Sequence, residues 1–73
     1  MSVSIFCNGV NVGIAYDKNT LYSLLNYCYL VMYNEDNSAW SFKSVSLLSK
    51  GEWKSYSYVE YSISKILDIY FPG

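Results

Sequence analysis

Asn8-Gly9 fixes how this chain begins, because it stands between two β-prone runs in "SVSIFCNGVNVGIAY". Asn-Gly readily supplies the positive φ angles of a type I′ turn, so the flanking residues read as a hairpin with strands near 3–7 and 10–16. Gly13 interrupts the second strand and predicts a bulge or a close approach of another element to its backbone.

The next stretch, "YDKNTLYSLLNYCYLVMYNEDN", changes period. Asp17, Asn19 and Thr20 are capping residues, so a helix is expected to start near 19 or 20. Leu21, Leu25, Cys28 and Met32 recur at helical spacing, and Leu24 and Val31 widen the stripe that would face a core. Tyr22, Asn26, Tyr29 and Tyr33 form a second stripe on the same helix. No Lys, Asp or Glu lies between Leu21 and Asn34, so this helix is expected to be covered on both sides. The turn "NEDN", Asn34 to Asn37, ends it.

In "SAWSFKSVSLLSKGEWKSYSYVEYSI" the period returns to two. Serines alternate with Trp40, Phe42, Val45 and Leu47, and Lys50-Gly51 marks a turn. Trp53, Val59, Tyr61 and Ile63 share one parity, while Lys54, Tyr56, Tyr58 and Glu60 share the other. A second hairpin is expected over roughly 39–48 and 52–60. Ile63, Ile66, Leu67 and Tyr70 then predict a closing helix, stopped by Pro72-Gly73. A rival start for it is the capping box of Ser57 and Glu60. The order is ββαββα, an α+β class of fold. The expected architecture is one domain over 1–73, with a four-stranded antiparallel sheet and two helices on one face.

Composition sets the class of partner. The chain has 73 residues, is 52% hydrophobic and 19% aromatic, and is only 15% charged. That is too apolar for intrinsic disorder. The net charge is −1, and there is no His, Arg or Gln. The five positive charges, Lys18, Lys43, Lys50, Lys54 and Lys65, are scattered. Nucleic-acid binding needs clustered positive charge, so the sequence argues against it. The longest apolar run, "LYSLLNYCYLVMY", covers 13 residues, short of the roughly 20 a membrane helix needs. The N-terminus carries no signal-peptide pattern, so a cytoplasmic location is expected. Cys7 and Cys28 are then two buried, reduced thiols.

Catalytic chemistry is sparse. Without His, general acid–base work would fall to carboxylates, and only Glu35 and Asp36 are adjacent, in a turn. Cys28 lies on the apolar stripe with no base to lower its pKa. "NGVNVG" is a hairpin turn and not a phosphate cradle, and no cofactor or metal pattern occurs. A non-enzyme is expected.

What remains is nine tyrosines among twelve serines and six asparagines, a mixture that antibody paratopes also use for contact. The candidate interface residues are Tyr22, Asn26, Tyr29 and Tyr33 on the first helix, with Tyr56 and Tyr58 as an exposed face of the last strand. Two functions follow. One is a small stoichiometric inhibitor or neutraliser of a protein target; phage-encoded inhibitors and immunity proteins are often single domains of this size. The other is a self-associating accessory protein, with the tyrosine-lined helix as the seam of a homodimer.

Overall fold

The structure is a computed structural model that describes residues 1–34 and 43–73. It contains β1 (Val3–Cys7), β2 (Val10–Ala15), α1 (Lys18–Tyr33), β3 (Ser44–Ser49), β4 (Glu52–Ser57) and α2 (Ile63–Tyr70). The four strands form one antiparallel sheet in the order β2-β1-β3-β4, so the expected ββαββα fold is the one found.

Both tight turns follow from their residues. Asn8 and Gly9 have φ of 52° and 79°, and Lys50 and Gly51 have φ of 53° and 77°. Positive φ at both central positions gives the twist that two-residue hairpins need. Because β1 is antiparallel to both β2 and β3, the last two run parallel to each other and require a crossover. α1 is that crossover, and it packs against β2 and β1.

The core forms on the side of the sheet that the helices cover. Val3, Ile5 and Cys7 of β1, Ala15 of β2 and Val45 and Leu47 of β3 meet Leu21, Leu25, Cys28 and Met32 of α1. The expected apolar stripe of α1 is therefore the buried one. Ile66 and Tyr70 of α2 close the cluster over Tyr56 of β4. An exposed ion pair, Lys18 to Asp68 at 3.3 Å, links the two helices and adds little to stability.

Several boundaries differ from expectation, each for a visible reason. α1 starts at Lys18, because Asp17 is its N-cap and accepts the Thr20 N–H at 2.7 Å. That hydrogen bond holds the Asp17 carboxyl below the usual carboxylate range. β2 stops at Ala15 and β3 runs through Ser49; the part of the expected strand at 39–42, with Trp40 and Phe42, lies outside the described residues, as do Glu35 and Asp36. β4 ends at Ser57 and not at 60, because the Ser57 carbonyl accepts from Tyr61 N–H at 2.8 Å and turns the chain. Ser57 Oγ serves Val59 N–H, so α2 is capped instead by Ser62, which accepts from Lys65 N–H at 3.2 Å.

Candidate functional site

α1 brings four of the six candidate residues to one flank. Tyr22 and Tyr33 are exposed, Tyr29 is at the margin of exposure and Asn26 is half-buried. Tyr29 and Tyr33, one turn apart, stack with ring centroids 6.3 Å apart. Tyr29 also meets the edge of Tyr58 at 5.5 Å. The α1 flank thus joins the β4–α2 connection through aromatic contacts, which prefer such edge-to-face and offset geometries.

Tyr58 anchors that junction. Its hydroxyl donates to the Leu25 carbonyl at 2.9 Å, a mid-helix acceptor that already serves the helix and has a second lone pair to offer. Burial, and next the nearby Cys28 and Cys7 thiols, push the Tyr58 hydroxyl well above the ordinary tyrosine range. It is a neutral hydrogen-bond donor at any physiological pH.

Between α1 and the β4–α2 connection lies an open groove of about 330 Å³, lined by Asn26, Tyr29, Tyr58, Tyr61, Ser62 and Ile63. Three tyrosine rings form its apolar walls, and Asn26 and Ser62 supply polar groups at its rim. Tyr61, which the sequence reading missed as a site residue, packs edge-on against Tyr56 at 5.0 Å and carries Lys65 Nζ 5.0 Å from its ring centroid. Its signal was spacing: Tyr56, Tyr58 and Tyr61 only converge once the chain turns at Ser57.

Tyr56 does not join this surface. It was expected on an exposed face of the last strand, yet it is buried, with its hydroxyl 2.9 Å from that of Tyr70. The reason lies in the register. Tyr56 pairs with Val45 and Lys54 with Leu47, so this parity faces the helices. α2 covers the Tyr56 end only, and Lys54 and Glu52 emerge beyond it. Burial first, and then the hydrogen bond shared with Tyr56, keep the Tyr70 hydroxyl protonated well above the ordinary range.

This hydroxyl pair makes a sharp prediction. Tyr70→Phe leaves the Tyr56 hydroxyl buried without its partner and should cost about 1–3 kcal/mol, whereas Tyr56→Phe/Tyr70→Phe together should cost less than either alone. Urea denaturation of the three variants measures it, and strict additivity would contradict the pairing.

The outer side of α1 adds Tyr27 and Leu30, both about half exposed, to the tyrosine flank. Cys28 lies on the buried face of this helix against Cys7, with which it shares a hydrogen bond; burial and that neighbour push its thiol up to about 12. A thiol so protonated is a poor nucleophile. Among the described residues no helix is long and apolar enough to cross a membrane, and no group of three or more His, Cys, Asp or Glu side chains converges. No protein-family model, no curated protein and no solved structure matches the chain.

Proposed function

We propose that this chain is a non-catalytic protein-binding module that holds a protein target stoichiometrically on the tyrosine flank of α1, as an inhibitor or neutraliser of that target. The observation that supports it is a helix without charge from Leu21 to Tyr33 that presents Tyr22, Tyr27, Tyr29, Leu30 and Tyr33 to solvent. Charge depletion and tyrosine enrichment are the compositional marks of an interface core. The groove beside it gives the surface a pocket, and interface hot spots gather where such pockets take an anchoring side chain. The Tyr58–Leu25 hydrogen bond ties one wall of that groove to α1 without a partner present, which reduces the ordering entropy that binding would cost there.

Tyr22→Ala and Tyr33→Ala are the testing variants, since neither ring belongs to the buried cluster. Each should keep the circular dichroism and thermal midpoint of the native chain. Each should also weaken retention of a co-purifying protein at least tenfold, a loss of about 1.4 kcal/mol or more. Isothermal titration against the recovered protein, with a stoichiometry near one, completes the test. Unchanged affinity in both variants, or loss of fold in both, would remove this surface from consideration.

A further inference from the structure

The second broad surface of the molecule is the side of the sheet away from the helices. Cross-strand pairing places Ile14, Ser4, Leu48 and Trp53 in one row of that side and Asn11, Phe6, Ser46 and Ser55 in the next, with Ser44 and Ser57 beyond. Opposed residues of neighbouring strands project from the same face, so these rows form one surface.

For a solvated face it lacks charge: six of its ten residues are Ser or Asn, and the others are Phe6, Ile14, Leu48 and Trp53. An open antiparallel sheet ordinarily turns its polar and charged side chains to water. Here the two charged residues within the strands, Glu52 and Lys54, have the parity of the helix side, and among the described strand residues the open side carries none. Trp53 is 57% exposed and Ile14 46%. Phe6 of β1 and Trp53 of β4 lean over the intervening β3 until their ring centroids are 4.7 Å apart, at an interplanar angle of 57°. They form a ridge across the sheet. Beside the ridge lies a floor of small side chains, Ser44, Ser46, Ser55 and Ser57, with Ser46 Oγ and Ser55 Oγ bonded to each other at 3.0 Å.

We infer that this open face is a self-association surface, on which a second copy of the chain packs sheet against sheet about a two-fold axis. A ridge next to a floor is self-complementary: under a two-fold, the Phe6/Trp53 ridge of each copy seats on the serines of the other, as an isologous contact requires. An uncharged face also selects an uncharged counterpart, which excludes the polyanionic backbone of a nucleic acid, and an identical face meets that condition by construction. Small hydroxyls allow the roughly 10 Å approach at which sheets pack. The footprint sets the strength. Four strands about 4.8 Å apart and five residues at about 3.3 Å each cover roughly 300 Å² per copy in projection, about 600 Å² for the pair and below the roughly 1,000 Å² of a stable interface, so the dimer is weak and concentration-dependent.

Sedimentation equilibrium from 1 μM to 1 mM is the experiment, with Trp53→Lys and Ser46→Lys as variants. The unmodified chain should pass from one to two copies across that range, and both variants should shift the midpoint at least tenfold higher or stay monomeric. Tyr33→Ala, on the opposite side of the molecule, should leave the midpoint unchanged, which separates this surface from the α1 flank. Amide chemical shifts of the unmodified chain on dilution provide a readout that no variant can confound. Shifts confined to residues around Ser4–Phe6, Ser46–Leu48 and Trp53–Ser55 support the sheet face. A monomer throughout, or dilution shifts centred on α1, overturns it.

Discussion

Gly13→Ala should destabilise the chain by about 2–5 kcal/mol, read as a fall in the midpoint of guanidinium denaturation. Two effects combine. The backbone at Gly13 has φ of 156°, a conformation that side chains rarely tolerate, and β2 is bulged there because Ile5 pairs with Gly13 while Phe6 pairs with Asn11. That strain costs about 1–3 kcal/mol for a residue with a Cβ. The added methyl would also stand 3.0 Å from both methyl carbons of the half-buried Leu24, which must shift by a few tenths of an ångström at a further cost of about 1–2 kcal/mol. The components separate in Gly13→Ala/Leu24→Ala, which relieves the crowding and keeps the strain. A double variant more stable than the sum of the singles confirms the contact. A Gly13→Ala protein within about 0.5 kcal/mol of the original would contradict both components.

Alkaline pH should unfold this protein through groups that burial keeps protonated. The Cys28 thiol rises from 9.0 to about 12 in the folded chain, whereas an unfolded chain loses that proton near the ordinary value. Between those values the folded state binds more protons than the unfolded one, so stability falls as pH rises, by about 1.4 kcal/mol per pH unit for one group. Below pH 9 this contribution is fully present. Tyr58 and Tyr70 are shifted in the same direction from 10.0, so the slope steepens above that pH. Thermal midpoints from pH 7 to 11.5 should be flat at first and then fall progressively more steeply. In Cys28→Ala the decline should begin about one unit later, where the tyrosines take over. A midpoint constant to pH 11 would show that these groups are solvated.

Local signals carried much of this fold. Asn8-Gly9 and Lys50-Gly51 specify turns through backbone geometry alone, and the Leu21, Leu25, Cys28, Met32 stripe specifies a buried helix face through its period. Gly13 announced a bulge or a close approach; the structure has both, the bulge in the pairing with β1 and the approach from Leu24 of α1. The sidedness of the last strand was not legible. Lys54 and Glu60 suggested that the parity of Tyr56 faces water, but parity becomes burial only once a helix lies across it. α2 spans eight residues and lies across Tyr56, and Tyr70 supplies the hydroxyl partner that makes its burial tolerable. The partner is 14 residues away, beyond any periodic pattern. The Phe6/Trp53 ridge was hidden for the same reason, since its two rings come from strands that are not sequence neighbours. On α1 the tyrosine stripe was visible by spacing, and only the sharing of Tyr29 with Tyr58 needed the tertiary structure.

The strand order also decides how the sheet resists growth. Among the described strands β2 and β4 are the outer ones, and outer strands offer backbone groups on which foreign strands can add, ultimately as fibrils. Each is spoiled as a template in a different way. The bulge at Gly13 breaks the regular register of β2, and Glu52 and Lys54 would bring their charges into any sheet extended past β4. A chain this rich in aromatic and β-prone residues is therefore blocked at its margins from the open-ended stacking that its composition would otherwise invite.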